Sequence, residues 1–318
     1  MSESILEAEN ISKQFAGHKA LDNVSLHVPR QSVYGLLGPN GAGKTTFLRI
    51  VNRITGPDTG KVYFNGEKLM PKHIEQIGYL PEERGLYRKM KVGEQAVYLA
   101  CLKGMEPNQA KLKLKDWFEK FEISTWWNCK VEELSKGMQQ KVQFITTVLH
   151  QPELLILDEP FSGFDPINTQ IVKEEILKLR EQGTTIIFST HNMSSVEEIC
   201  THIALINQGT KILEGQVRKV REGNREFLYE LTFKGSPVAF ANALWTGYQL
   251  VDKVEKDGEI TAKVKMLNNN TPNDLLKAVI PVVQVVSLQE ILPSMNEIFI
   301  KKVTEMSNIM KNNYKKDA

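Results

Sequence analysis

The sequence is poor in the features that mark several large classes of protein. Only three cysteines, Cys101, Cys129 and Cys200, occur in 318 residues, and they stand far apart. An odd, widely spaced set excludes a disulfide scaffold and a zinc finger, and it fits reduced thiols in a cytoplasm. No apolar run approaches the ~20 residues that a bilayer-spanning helix needs. The longest, near Ala278–Val286, is interrupted by Pro281 and Gln284. Charge of one sign is also missing: 40 basic residues face 38 acidic ones, so charge gives no reason to expect a nucleic-acid partner. The opening MSESILEAEN is acidic and polar, without the basic and apolar regions of a secretion signal, so secretion is not expected. At about 150 residues per domain, the length suggests two domains, or one with an appendage.

One segment sets the class. Val33–Leu37 (VYGLL) is a short apolar run that reads as a buried strand. It leads into Gly38-Pro39-Asn40-Gly41-Ala42-Gly43-Lys44-Thr45-Thr46 and then a helix-like run, Phe47–Val51. This is GxxxxGK[ST] in its strand–loop–helix context. Glycines let backbone N–H groups curl around phosphate oxygens, and the helix N-terminus adds its positive end. Lys44 is placed to reach the β- and γ-phosphates, and the Thr45 hydroxyl to ligate Mg²⁺. At average residue usage, such a match arises by chance in about 1% of chains this long. A dinucleotide turn has no place for Lys44 and Thr45, so the reading is a nucleoside triphosphate site.

A second apolar run, Leu154–Leu157 (LLIL), ends in Asp158-Glu159-Pro160. A parallel strand that delivers carboxylates at its C-terminal end puts them where α/β sheets bind ligands. Asp158 is expected in the Mg²⁺ shell, and Glu159 beside the γ-phosphate as general base or polariser of the attacking water. About twenty residues earlier lies Leu134-Ser135-Lys136-Gly137-Met138-Gln139-Gln140-Lys141, where Ser135 is a plausible helix N-cap.

In this order, the motifs resemble those of the ATP-binding subunits of ABC transporters. The resemblance covers residues 4–220 and implies an α/β P-loop ATPase domain with a helical insert. LSKGMQQK is similar to the family's LSGGQ signature, which implies that Ser135 and Gly137 cap ATP held by a second ATPase subunit, identical or not. Asp165 in Phe161-Ser162-Gly163-Phe164-Asp165-Pro166 resembles the D-loop aspartate that joins the two subunits. His191 after Thr184–Phe188 resembles the switch histidine at the γ-phosphate, and Phe15 the aromatic that stacks on adenine. Two departures stand out: Glu82 occupies the place of the Q-loop glutamine, where it could ligate Mg²⁺, and Lys136 and Met138 replace glycine and glutamine in the signature. LPEERGLY with LSKGMQQK narrows the resemblance to bacterial ABC-2-type exporters, especially the sodium-efflux group. It implies ATP and Mg²⁺ as cofactors, a separate transmembrane permease as partner, and a place on the cytoplasmic face of the cell membrane.

The ATPase domain is expected over residues 1–220, with the helical insert at about 88–133 and Glu82–Met105 as the transporter-facing surface. Residues 221–303 read as β-α-β-β-α-β, a small ferredoxin-like α+β domain, with Lys256-Asp257-Gly258 as a hairpin turn and Ile291–Val303 as a closing helix. The basic tail, 304–318, is expected to be disordered. Two rivals remain: a soluble ABC ATPase of translation or DNA repair, and a weakly hydrolysing regulatory module. Translation types usually carry two ATPase domains per chain and repair types a long coiled coil or zinc hook; neither pattern is present.

Overall fold

The computed structural model describes residues 3–83 and 85–314, with side chains as far as Met306. The chain divides into two compact units, Met1–Val217 and Arg218–Ala318.

The strands of the first unit are β1 (Ser4–Phe15), β2 (His18–Pro29), β3 (Val33–Leu37), β4 (Thr59–Phe64), β5 (Glu67–Lys68), β6 (Ile77–Leu80), β7 (Leu154–Asp158), β8 (Thr185–Thr190), β9 (His202–Asn207) and β10 (Thr210–Gln216). Its helices are α1 (Lys44–Val51), α2 (Val92–Leu102), α3 (Pro107–Lys120), α4 (Lys136–Val148), α5 (Pro166–Glu181) and α6 (Met193–Ile199); α7 (Val217–Gly223) begins at the boundary. The main sheet has the order β10-β9-β3-β8-β7-β6, parallel except for β10 at one edge. Strands β3, β7 and β8 are buried along their whole length, as strands covered on both faces must be.

Side-chain alternation splits the core in two. Leu154, Ile156 and Ile187 point into a core shared with α1 and the antiparallel sheet β2-β1-β4-β5. Leu155, Leu157, Ile186 and Phe188 point the other way, against residues of α4 and α5 and of the helical insert. Fully buried side chains such as Phe47, Phe188 and Phe144 each contribute about 1.5–3 kcal/mol by leaving water. Register then sets the site. Leu37 pairs with Thr190, and Asp158 with Ser189, so β3, β7 and β8 end level with one another.

The second unit contains β11 (Leu228–Lys234), α8 (Pro237–Ala243), β12 (Tyr248–Lys256), β13 (Glu259–Met266), α9 (Pro272–Val279), β14 (Gln284–Ile291) and α10 (Met295–Tyr314). Its antiparallel sheet has the order β12-β13-β11-β14, which is the ferredoxin-like arrangement. Strands β11 and β13 alternate half-buried and buried, and the buried face packs on α8, where Phe233 stacks on Phe240 at 4.3 Å. Asp257 and Gly258 turn the β12–β13 hairpin with φ of 53° and 77°, the left-handed pair a type I′ turn requires.

Two expectations fail here. The closing helix does not begin at Ile291, which ends β14; Pro293 intervenes and the helix opens at Met295. The tail is not disordered over 304–314, because α10 continues to Tyr314. Lys315, Lys316 and the side chain of Lys311 lie outside the described residues, as does Arg84.

Candidate functional site

Residues 38–43 form the turn between β3 and α1. A Cβ at Gly38 would stand 2.1 Å from the Ile206 carbonyl oxygen on β9, so no larger residue fits. Gly41 faces open space but holds φ at +77°, a left-handed conformation that costs glycine little. Lys44 opens α1 with its side chain buried, donating from Nζ to the carbonyls of Gly38 (2.7 Å) and Pro39 (3.1 Å). Burial lowers its pKa, and the carboxylates of Glu159, Asp158 and Glu82 act against that shift. The ammonium is therefore held between the loop and three acids.

Asp158 is the last residue of β7 and is almost wholly buried. Its Oδ1 accepts from the Ser189 hydroxyl, while Oδ2 is buried with no hydrogen-bond partner. An orphaned carboxylate oxygen inside a nucleotide cavity fits a hard cation. Glu159 follows in the left-handed region, φ 48°, and its N–H donates to the Ser189 hydroxyl at 3.1 Å and carbonyl at 3.3 Å. One side chain on β8 thus fixes both acids. His191 Nδ1 stands 2.9 Å from Glu159 Oε1.

Lys44, Asp158 and Glu159 border a cavity of about 440 Å³, whose lining does not include Gly38 or His191. Phe15, Asn40, Thr45, Glu82, Asp158 and Glu159 line it, together with Gly41, Ala42, Gly43, Lys44 and Thr46. Phe15 is exposed, and the Lys13 ammonium, paired with Asp58 at 2.7 Å, lies 5.3 Å from its ring centre. Among the described residues, no group of three or more His, Cys, Asp or Glu side chains could hold a metal unaided. The oxygen donors present, from Thr45, Asp158 and Glu82, fit Mg²⁺ that a bound phosphate helps to hold.

Ser135, Gly137 and Asp165 do not line this cavity. The Ser135 hydroxyl caps α4 by accepting from the Met138 N–H at 3.3 Å, and Asp165 caps α5 by accepting from the Asn168 N–H at 2.9 Å. A Cβ on Gly137 would lie 3.5 Å from the Gly163 carbonyl oxygen, so signature and D-loop are neighbours. Lys136 is exposed, while Met138 packs against the core.

The family model for ABC transporters matches residues 21–162, and that of the DrrA1-3-like ATP-binding protein C-terminal domain matches residues 215–303. An uncharacterized ABC transporter ATP-binding protein of Bacillus subtilis, YhaQ, is 47% identical over 217 residues, or 68% of this chain and 73% of the relative. The linearmycin resistance ATP-binding protein LnrL, also of B. subtilis, is 28% identical and aligns over 93% of this chain and 97% of its own. A solved ATP-binding subunit of an ABC transporter superposes with a TM-score of 0.65 at 27% identity, covering 69% of this chain and 93% of that one. The chain belongs to the ATP-binding subunits of ABC transporters.

This ABC subunit carries a second cavity, of about 570 Å³, beside the Glu82 segment and α2. Its walls include Ile54, Tyr79, Leu86, Leu99 and Leu102, of which Ile54 is 60% and Leu102 61% exposed. Arg49, Lys103 and His150 supply positive or protonatable groups, and Glu83 the single carboxylate. Burial, and then Lys103, pushes the His150 imidazole down to about 4. Sequence reasoning named neither His150 nor Ser189 as functional. The role of Ser189 depends on the pairing of β7 with β8, a strand register that no local pattern carries.

Proposed function

We propose that two copies of this subunit, or one copy and a relative, bind ATP between them and use its hydrolysis to drive export through a separate membrane protein. The observation that carries this reading is the split of the motifs. Lys44, Asp158 and Glu159 meet in one cavity, whereas Ser135, Gly137 and Asp165 stand outside it and need a facing site in a second subunit. In the closed pair, Phe15 stacks on adenine, Lys44 and the loop N–H groups hold the phosphates, and Ser135 caps the γ-phosphate from across the interface. Glu159 takes a proton from water as its oxygen attacks the γ-phosphorus and the β–γ bridging oxygen departs; His191 orients that carboxylate. When bound, Mg²⁺ neutralises phosphate charge; Thr45, Asp158 and Glu82 are the residues to hold it.

Among the described residues, no helix is long and apolar enough to cross a membrane, and the reading assigns the translocation path to a partner. The apolar cavity beside α2, with exposed Ile54 and Leu102, is the surface we assign to that partner, at the cytoplasmic face of the membrane. The Nod factor export ATP-binding protein I of Burkholderia pseudomallei, 32% identical over 225 residues, supports expulsion over uptake. Purification of Glu159→Gln with ATP from solubilised membranes tests the reading. A stoichiometric polytopic membrane protein is expected; recovery with ribosomes or nucleic acid instead would sink it.

A further inference from the structure

The second unit holds a cavity of about 570 Å³ that the ATPase reading does not use. It lies where the end of α8, the start of β12 and the segment between β13 and α9 meet. Trp245 forms one wall and is 70% exposed, although indole is the costliest apolar side chain to leave in water. Polar groups stand among the other walls: Thr246, Asn268, Asn270 and Asp274, with Tyr248 beside them.

Two of these groups, Asn270 and Asp274, are held in place before any ligand arrives. Asn270 Nδ2 donates to the Gly247 carbonyl at 2.9 Å, and a Cβ on Gly247 would fall 2.1 Å from that same Nδ2, so a larger residue there would displace this amide. Asn268 and Asn269 hold φ at 55° and 58°, which turns the chain sharply at the cavity edge. Asp274 Oδ2 takes the Thr271 N–H and hydroxyl, while Oδ1 has only Lys277, 3.9 Å away. One carboxylate and one ammonium leave the rim without net charge.

We propose that this cavity binds a neutral saccharide. The C–H face of a pyranose ring lies against the Trp245 indole, and its hydroxyls meet the Asn268 and Asn270 amides, the Thr246 hydroxyl and Asp274 Oδ1. A flat apolar face edged with donors and acceptors matches one aromatic wall among amides and hydroxyls. An organic cation is disfavoured by Lys277, and a purely apolar ligand would strand the polar walls without partners. Such a site makes the second unit a sensor or docking element for sugar-bearing cargo, independent of how the first unit uses ATP.

Titration calorimetry of the full chain with maltose, cellobiose and N,N′-diacetylchitobiose tests this, with tetramethylammonium chloride as the cationic control. Saturable binding of at least one disaccharide is expected, weakened tenfold or more in Trp245→Ala and severalfold in Thr246→Val. Three silent disaccharides overturn the proposal, as does tetramethylammonium binding in their place. Undiminished saccharide affinity in both variants overturns it too, by locating the sugar elsewhere.

Discussion

Ser189, on β8, donates its hydroxyl proton to Asp158 Oδ1 and accepts the backbone N–H of Glu159 at 3.1 Å. The two neighbouring acids have different proposed tasks, and this one hydroxyl sets the position of both. It leaves Asp158 Oδ2 free and steadies Glu159 in a left-handed conformation that residues other than glycine seldom adopt. Ser189→Ala removes both contacts without adding bulk. Melting curves should show a loss of about 1–3 kcal/mol, and turnover should fall more than nucleotide affinity does.

Glu159→Gln keeps the shape of the side chain and removes its basicity. Steady-state hydrolysis should drop by about 10²–10⁴-fold, while equilibrium ATP binding stays within a few-fold of the parent. Unchanged turnover in a phosphate-release assay would remove Glu159 from the general-base role.

His191→Ala tests the contact between Nδ1 and Glu159 Oε1. The imidazole side chain is 65% exposed, so stability should change by less than about 0.5 kcal/mol. Hydrolysis should nevertheless fall at least tenfold. A parallel loss of melting temperature would instead mark His191 as a packing residue.

Lys44→Met replaces a buried ammonium that donates to two loop carbonyls and faces three carboxylates. ATP affinity should weaken by tenfold or more, since a charge-assisted contact to phosphate is worth about 1.5–3 kcal/mol. Fluorescent-nucleotide titration reads this directly, and equal affinity in parent and variant would refute it.

His150 gives a pH prediction. Its folded-state pKa, about 4, lies below the unfolded value of about 6.5. The unfolded chain therefore binds the extra proton first as pH falls. The stability this histidine contributes is complete above pH 6.5 and is lost progressively towards pH 4, with a limiting slope of about 1.4 kcal/mol per pH unit. Replacing it by glutamine should flatten the denaturation midpoint over that window; an unaltered slope would show that other groups govern acid unfolding.

The chemistry-bearing parts were legible because they are local. The Gly38–Thr46 loop, the acids closing Leu154–Leu157 and the Asp257-Gly258 turn each depend on residues adjacent in sequence. The β-α-β-β-α-β order was equally readable, since β11 and β13 carry a clean two-residue alternation. The start of α10 was misplaced although its signal is present. Ser294 and Glu297 exchange capping hydrogen bonds, with Ser294 N–H donating to Glu297 Oε2 at 2.7 Å and Ser294 Oγ accepting from Glu297 N–H at 3.2 Å. Apolar Ile291 and Leu292 drew the boundary too early. The Ser189 relay was not legible, because it requires β7 and β8 to pair in one register across thirty residues.

Strand β3 has as its two neighbours β8 and β9, which follow it by roughly 150 residues. The backbone wall against Gly38 is Ile206, on the later of these strands. A chain emerging from the ribosome therefore presents its phosphate loop long before the two strands that flank β3 are available. Long-range parallel pairing of this kind is slow and exposes apolar strands to misassociation. Until residue 207 is made, β3 lacks its full pair of sheet neighbours, and the local pairing open to the first forty residues is the hairpin of β1 and β2.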